Sequence, residues 1–478
     1  MIRKIIITIG SGVILLVGSG CAVINPTNPY DSAAAGLTRS HTPAAVMQNH
    51  SKNVKEEKVS AHFSLTLGDA VKMALENNPQ VAAAKHEIDA AAARHSQALA
   101  KALPSITAMG GYTHDKDDQR LLPSHYNGEP GVYGDDIYSA DIVLTQPLFA
   151  GGRLIKEISA TKLLTRAATH RLSRTKKELV FNVTSTFYAI LAQKKVVDSL
   201  KFSKKAIEEH LKQVNNLIAQ KKAARVDRLR TEVRLADIIQ ELTRAQNVLS
   251  VQKRVLANLM GLADIGGKFD VKGDLVSEQR LSLDLQSSFA KAFEHRSDYL
   301  AARAALEAAA NEVDVARAGH WPVVSLQGTY GMRWADDPSV YPPGTDKSED
   351  LGRIGVYVNL PIFESGRITA KVREQRAALA AAREKLRALE LAIRLDVETA
   401  ALNIETAQKR INTTEKAILQ SKETFRIERE KYDQGKGSIT DVLDAQSAML
   451  VSQTNYFKAL ADFNTAIAQM RLATGEMK

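Results

Sequence analysis

A motif that recurs at a constant spacing constrains this chain more than any other feature of its 478 residues. The segment QPLFAGGR at 146–153 returns as LPIFESGR at 360–367, so each position of the motif recurs 214 residues later. The same offset relates Asp227 to Asp441. A constant offset across so long a stretch indicates a tandem duplication in which corresponding elements have equal lengths.

A long segment without glycine or proline follows each copy of the motif, at about 153–220 and 367–434. In the second segment, apolar residues recur every seven positions at Ile404, Ile411 and Ile418. Seven-residue spacing makes α-helices pack side by side with a supercoil. The pattern predicts two helices, each about 100 Å long at a rise of about 1.5 Å per residue.

Shorter helices are predicted around these two. Each repeat has a helix of moderate length, at 67–103 or 285–319, and a half-length helix, at 226–260 or 440–473. The helix at 226–260, stacked end to end on the one at 285–319, has about the length of one long helix. We therefore expect each chain to contribute four parallel rods of helix.

Four segments with strand periodicity precede the long helices, two in each repeat, and we place them at 104–115, 137–148, 322–334 and 353–362. The third is the clearest, because apolar and polar residues alternate along it. One face holds Val324, Leu326, Tyr330, Met332 and Trp334, and the other holds Ser325, Gln327 and Thr329. Amphipathic strands of about ten residues can cross a bilayer when tilted.

Four such strands cannot form a closed barrel within one chain. Open sheet edges are not tolerated in hydrocarbon, and the smallest closed barrels have about eight strands. Two chains would supply eight strands and three would supply twelve, and the larger number leaves room for a lumen. The alternative is a small sheet that caps a soluble helical bundle. The outward-facing Tyr330 and Trp334, which suit an aromatic belt, favour the membrane interpretation.

The N-terminus has the pattern of a secretory signal at residues 1–20, with Arg3 and Lys4 before a short apolar run. The only cysteine of the chain, Cys21, follows directly and resembles the lipid-modified first residue of a mature bacterial lipoprotein. The alternative is an incidental thiol beside an ordinary cleavage site. Residues 21–60 are rich in Pro, Ser, Asn and Thr, which predicts a flexible tether. Apart from a covalent lipid such as palmitate at Cys21, we expect no cofactor.

The sequence resembles the TolC-type outer membrane efflux protein family. The resemblance rests on LTLGDAVKMALENNPQV from Leu65, the two strand-to-helix junctions, YDQGKGSITDVLDAQ from Tyr432, and the duplication into repeats at 61–275 and 276–478. It implies a mainly α protein with a membrane β-barrel. Three chains would form a 12-stranded barrel in the outer membrane of a Gram-negative bacterium, above a periplasmic tunnel of twelve helical rods.

The resemblance also implies a function and partners. Such proteins are the exit ducts of tripartite efflux or type I secretion systems. They dock onto a periplasmic adaptor protein and an inner-membrane pump of the RND, ABC or MFS type. The transported substrate does not follow from the sequence.

The end of the second long helix is predicted to be a tight turn at the periplasmic tip. Gly435 and Gly437 are expected to supply the positive φ that ends the helix, and Ser438 or Thr440 to cap the returning helix. Tyr432 precedes the turn, and the resemblance makes this segment a candidate adaptor contact.

Two aspartates follow on the first turns of the returning helix. Asp441 and Asp444 are three residues apart and so share a face. The resemblance implies that they form acidic rings at the periplasmic aperture, where rings of Asp select for cations. The alternative is that they complement the helix N-terminus, which contributes about 0.3–1 kcal/mol each.

The first tip departs from this pattern. Asp227 is the repeat partner of Asp441 and is included among the candidate aperture residues, but its surroundings, QKKAARVDR, lack paired glycines and are basic. Lys221, Lys222 and Arg225 are expected to contact Asp441 or the adaptor, and the alternative is a solvated turn. The arginine that some relatives have between the tip glycine and the aspartates is absent here.

Other classes of protein are disfavoured. The net charge of +10 comes from basic residues dispersed along helices without interleaved aromatics, so we expect no nucleic-acid partner. No zinc-helix spacing, phosphate loop or nucleophile elbow occurs, so we expect no enzyme. His86 and His95 are nine residues apart, too far to chelate a metal along one helix face. A purely structural periplasmic coiled coil would not need strands of bilayer length.

Overall fold

A computed structural model describes residues 63–120, 133–262, 268–275, 284–335 and 348–477. The predicted signal peptide at 1–20, the tether at 21–60 and Cys21 lie outside the described residues. The first half comprises β1 (Phe63–Leu65), α1 (Leu67–Asn77), α2 (Pro79–Ala100), β2 (Ser105–Arg120), β3 (Tyr133–Ala150), α3 (Arg153–Ala219) and α4 (Arg225–Leu259). The second half comprises β4 (Phe269–Val271), α5 (Leu285–His295), α6 (Ser297–Arg317), β5 (Val323–Ala335), β6 (Ser348–Asn359), α7 (Arg367–Asp433) and α8 (Ile439–Ala473).

The two long helices form as the periodicity predicts. α3 and α7 have 67 residues each, and the helices that return from their tips, α4 and α8, have 35 residues each. The heptad positions of α7 are buried at Ile393, Val397, Ala400, Ile404 and Ile411, where they pack with residues of α8. Among the helices of the described ranges, none combines the length and the apolar run that crossing a membrane requires.

The prediction of one continuous helix at 67–103 and another at 285–319 was wrong. Each is divided in two, because Asn78 and Arg296 adopt extended backbone conformations with ψ of 125° and 119°. Asn78 precedes Pro79, whose ring disfavours a helical conformation in the residue before it. The side chain of Asn78 then caps α2 by accepting a hydrogen bond from the backbone N–H of Gln80 at 2.8 Å.

The second break has no proline and depends on a buried arginine with two carboxylate partners. Arg296 is only 3% exposed, and its guanidinium donates hydrogen bonds to the carboxylates of Asp298 and Asp396, each at 2.7 Å. Burial by itself raises the pKa of Asp298, but the hydrogen bond from Arg296 and the charges of Arg174 and Arg296 outweigh it, so this pKa lies below its usual value. The network fixes Arg296 between α5 and α6.

The half-length helices stack differently from our expectation. The end of α4 meets the break between α1 and α2, where Asn78 Nδ2 donates to the carbonyl oxygen of Leu259 at 2.9 Å. The end of α8 meets the break between α5 and α6, where a Cβ on Gly475 would lie 2.6 Å from the carbonyl carbon of His295. The stacked pairs are therefore α4 with α2 and α8 with α6, whereas we had paired 226–260 with 285–319.

The helices are arranged side by side in one order along the molecule. Next to the sheet, the contacts give the order α2, α3, α6, α7, and towards the tips they give α4, α3, α8, α7. The four-stranded antiparallel sheet has the matching order β2, β3, β5, β6. One edge of the chain thus consists of β2, α2 and α4, and the other consists of β6 and α7.

The strand bounds differ from the predicted ones mainly at the ends. β2 continues to Arg120 and β3 begins at Tyr133, so both are longer than expected. β6 runs from Ser348 to Asn359 rather than 353–362. It ends before Pro361, which lacks the N–H that a ladder hydrogen bond needs.

The register of the sheet gives its two faces. One level across the four strands consists of Thr107, Val143, Thr329 and Arg353. The adjacent level, whose side chains lie on the opposite face, consists of Ile106, Leu144, Gly328 and Ile354. The second face is the apolar one, and it carries Ile106, Ile142, Leu144, Val324, Leu326, Ile354, Val356 and Val358. On the same face, the ring of Tyr138 lies between those of Tyr112 and Trp334, with centroids 5.0 and 5.4 Å apart.

A second, two-stranded sheet was not predicted. β1 and β4 pair in parallel although about 200 residues separate them in sequence. Leu65 and Val271 from these strands pack with Val183, Phe187 and other residues at the middle of α3. Strands of three residues are too short to show periodicity, so no pattern in the sequence indicated them.

Candidate functional site

The turn between α7 and α8 forms the second tip. The backbone N–H of Lys436 donates to the carbonyl of Lys431 at 2.8 Å, and that of Gly435 to the carbonyl of Tyr432 at 2.9 Å. This pair of bonds is a Schellman motif, which needs a left-handed residue after the helix. Gly435 takes that role with φ of +71°, as predicted.

Gly437 has a different role from the one we predicted. Several glycines of the described residues have a positive φ, and Gly437 is not one of them. Instead, a Cβ on Gly437 would lie 3.1 Å from both the Cβ of Lys431 and the backbone nitrogen of Tyr432. Glycine therefore fits best here, because the chain passes close to the last turn of α7 and a Cβ would have to displace its neighbours by a few tenths of an ångström.

Ser438 caps the returning helix. Its hydroxyl oxygen accepts a hydrogen bond from the backbone N–H of Thr440 at 3.1 Å. Thr440, the alternative cap, instead accepts a hydrogen bond on its hydroxyl from Arg230 Nη1 of α4 at 3.0 Å. This bond joins the two tips, and the sequence did not indicate Arg230.

Asp441 and Asp444 are both exposed on one side of α8. The opposite side is buried against α3, where Gln446 Nε2 donates to Ser203 Oγ at 3.0 Å. Within the described part of the chain, neither carboxylate has a hydrogen bond or an ion pair. The packing of α8 therefore turns both charges away from the chain's own core.

The turn between α3 and α4 forms the first tip and repeats the geometry of the second without its glycines. Lys222 N–H donates to the carbonyl of Leu217 at 2.8 Å, and Lys221 N–H to that of Ile218 at 2.9 Å. Lys221 occupies the left-handed position with φ of +58°. Lys221, Lys222 and Arg225 are exposed, and no contact joins them to Asp441 in the described structure.

Asp227 differs from its repeat partner Asp441. Its Oδ2 accepts a hydrogen bond from the backbone N–H of Ala224 at 3.1 Å, so the carboxylate caps the start of α4. Ala224, at the N-cap, has no side chain that could accept a hydrogen bond from the first turn of α4. Asp227 is half-buried and lies close enough to Tyr432 for its charge to affect that phenol.

A polar contact between the two long helices lies just inside the tips. The rings of His210 and Tyr432 are 5.2 Å apart, and His210 Nε2 and Tyr432 Oη are buried without a hydrogen-bond partner in the described structure. Burial lowers the pKa of His210, although the charge of Asp433 opposes this shift. Burial, followed by the charges of Asp227 and Asp433, raises the pKa of Tyr432.

A second side-chain contact accompanies this one. Gln213 Nε2 of α3 donates to Asp433 Oδ1 of α7 at 2.8 Å. No pattern singled out in the sequence had indicated His210 or Gln213. For His210 a signal existed, because it continues the three–four spacing of Leu200, Ser203, Ile207 and Val214, four residues that the structure buries.

Comparison with known proteins identifies the class. The model of the outer membrane efflux protein family matches residues 70–262 and 289–476, which are the two repeats. Among curated proteins, the chain is 23% identical to the outer membrane protein TolC of Vibrio cholerae over 423 residues, covering 87% of this chain and 92% of that protein. It is 25% identical to the proteases secretion protein PrtF of Dickeya chrysanthemi over 324 residues, covering 66% and 67%.

Solved structures show the same fold. The Campylobacter jejuni CmeC outer membrane channel matches with a TM-score of 0.74 at 18% identity, covering 86% of this chain and 85% of that one. The outer membrane protein VceC of Vibrio cholerae matches with a TM-score of 0.72 at 19% identity, covering 86% and 96%. The chain belongs to the outer membrane efflux protein family. It is an outer-membrane exit duct of the kind that serves efflux and secretion systems.

Proposed function

We propose that the duct is a homotrimer in which the two edges of each chain join those of its neighbours. The proposal is supported by the order of the strands, which matches the order of the helices beside them. This order leaves β2 and β6 as unpaired edge strands on opposite sides of the chain. An unpaired edge is a template for pairing with another chain. Three copies would close a sheet of twelve strands above a ring of twelve helical rods.

The helical edges support the same arrangement. α4 and α7 both expose apolar side chains, although each is already packed on one side within the chain. The exposed residues on α4 include Val226, Leu229, Val233, Ile239, Val251 and Val255, and those on α7 include Leu391, Leu395, Leu402 and Leu419. Contact between α4 of one copy and α7 of the next would bury both sets.

The tips would then form the aperture at the periplasmic end. Asp441 and Asp444 face away from the packed side of α8, so three copies would place two rings of carboxylates around the axis. Like charges at close range repel, and such rings attract cations and exclude anions. Asp227 would border this aperture, where it caps α4 and lies near Tyr432.

The partners we propose are a periplasmic adaptor protein and an inner-membrane pump of the RND, ABC or MFS type. The exposed cations at the first tip, Lys221, Lys222 and Arg225, and the exposed turn from Gly435 to Ser438 offer the surface for the adaptor. We also propose that Cys21 carries a lipid, which would add a second attachment to the outer membrane.

Removing the aperture carboxylates tests the proposed rings. In planar bilayers, the D441A/D444A double variant should have a higher single-channel conductance and a weaker cation preference than the wild type. A matched control, E76A/E87A, removes two exposed carboxylates outside the tips and should leave both properties unchanged. Wild-type conductance and selectivity in D441A/D444A would contradict the aperture role.

A further inference from the structure

Arg353 of β6 lies on the polar face of the sheet. Its backbone partner is Thr329, whose own partner in β3 is Val143. Directly opposed residues and residues two apart along a strand point to the same side. The face of Arg353 therefore also carries Asp141, Ser325, Gln327 and Arg333, whereas Ile354, Val356 and Val358 lie on the apolar face.

Two side-chain contacts agree with this assignment, one on each face. On the polar face, Arg333 Nη1 and Asp141 Oδ1 form an ion pair at 2.9 Å. On the apolar face, near the end of the strands, the hydroxyl of Tyr330 donates to Asp350 Oδ2 at 2.9 Å. A Cβ on Gly331 would lie 2.2 Å from Asp141 Oδ1, so the glycine gives Asp141 the space to reach Arg333.

Arg353 differs from Arg333 in its electrostatic surroundings. Arg333 is ion-paired with Asp141, so its charge is compensated within the chain. Arg353 is exposed, and no ion pair joins it to another described residue.

The other edge strand offers Arg353 no acid over most of its length. In β2, the positions that share the polar face before the irregular segment at 115–118 are Ser105, Thr107, Met109, Gly111 and Thr113. None of these is acidic. Pairing of β6 with the β2 of a neighbouring chain at any of the first four of these positions would bring no acid of β2 opposite or diagonal to Arg353.

We propose that Arg353 forms a ring of positive charge inside the pore and favours solutes with carboxylate, phosphate or sulfonate groups at the outer end of the duct. The inference rests on the proposed trimer, in which the polar face of the sheet lines the lumen. A ring of like charges in a water-filled pore attracts counter-ions and repels co-ions. The pore would then be acidic at the tips and basic within the sheet.

The test is the ion selectivity of purified trimers in planar bilayers under a potassium chloride gradient. The variants are made in the wild type and in D441A/D444A, so that the aspartate rings do not mask the effect. In both the wild-type and the D441A/D444A background, R353Q should lower the chloride-to-potassium permeability ratio by a factor of about three at about 0.1 M salt. The effect should be larger at lower salt, where charges are less screened.

The matched control is D350N, which changes one charge on the same strand but on the opposite face. D350N should leave the permeability ratio unchanged, and R353K, which retains the charge, should behave like the wild type. Trimeric channels in which R353Q has the wild-type ratio would overturn the role of Arg353 and leave the proposed duct intact. Cross-linking that finds no trimer would overturn the proposed assembly, and the ring with it.

Discussion

The two tips reach the same backbone geometry with different residues, and the difference has an energetic cost. Lys221 and Gly435 each occupy the left-handed position of a Schellman motif, with φ of +58° and +71°. A left-handed conformation costs an L-residue with a side chain about 1–2 kcal/mol, and glycine avoids this cost. The first tip is therefore the more strained of the two.

Exchanging these residues should move stability from one tip to the other. K221G should stabilise the first turn by about 1 kcal/mol, and G435K should destabilise the second by a similar amount. A Cβ on Gly435 would meet nothing within 4 Å, so only its backbone conformation opposes the change. Hydrogen exchange of the Lys222 and Lys436 amides measures both effects. Equal protection in variants and wild type would show that neither turn is strained.

The contact between His210 and Tyr432 should make the tip sensitive to pH. Burial holds the pKa of His210 below its usual value of about 6.5. The charge of Asp433 raises this pKa and the charge of Arg429 lowers it, and burial has the largest effect. When the contact is formed, His210 therefore binds fewer protons than when the contact is broken, and the contact is fully stabilised only above about pH 6.5. As the pH falls through this value, the contact between α3 and α7 should weaken.

The test is to measure the protection of backbone amides near residues 210 and 432 from hydrogen exchange at about pH 7.5 and pH 5.5, corrected for intrinsic exchange rates. The wild type should lose protection at the lower pH, while H210Q should not respond. H95Q, which alters a histidine bonded to Thr161 far along α3, is the control and should respond like the wild type. The same pH response in H210Q would exclude this histidine as its origin.

At the scale of elements, breaks at the middle of the molecule allow the half-length helices to stack. Asn78 and Arg296 interrupt their helices at points where the ends of α4 and α8 arrive. The two breaks use different chemistry. The first repeat has a capped Asn-Pro step, and the second has a buried arginine that is ion-paired with two carboxylates. The second should be the more sensitive to loss of one side chain.

R296A should destabilise the protein by about 3 kcal/mol, because it removes a buried guanidinium that bridges two carboxylates, and it leaves Asp298 with Arg174 as its remaining cation. The control is R317A, whose exposed ion pair with Asp314 should contribute less than about 1 kcal/mol. The midpoint of thermal unfolding ranks the two variants. Equal midpoints would mean that Arg296 does not hold the break.

The sequence predicted elements whose signal is local and repeated. Heptad spacing and the absence of glycine and proline indicated α3 and α7, and the spacing of Gly435, Ser438, Asp441 and Asp444 indicated the second tip. Contacts between distant segments gave no such signal. The pairing of β1 with β4, the ion network of Arg296 and the bond from Arg230 to Thr440 all depend on how the helices pack, which one sequence does not specify.

A local signal for the first break existed, because Pro79 restricts the conformation of the residue before it. The many alanines near Pro79 favoured a continuous helix instead. The stacking of the half-length helices was assigned to the wrong pair for a different reason. Length alone could not distinguish 285–319 from the helix that precedes β2, because both have about the same number of residues.

At the scale of the whole molecule, the duplication gives each chain two similar halves that lie side by side, and the order of their elements leaves two open edges. Neither edge is satisfied within one chain. If each edge meets the opposite edge of another copy, β2 pairs with β6. The same contact buries exposed apolar residues of α4 and α7.

The most direct measurement is therefore a single-particle reconstruction of the protein extracted from the outer membrane in mild detergent. We predict three chains around one axis, β2 of each beside β6 of the next, and a helical stem about 100 Å long that narrows at Asp441 and Asp444. A particle with one or two chains, or a trimer in which β2 and β6 stay unpaired, would contradict this arrangement.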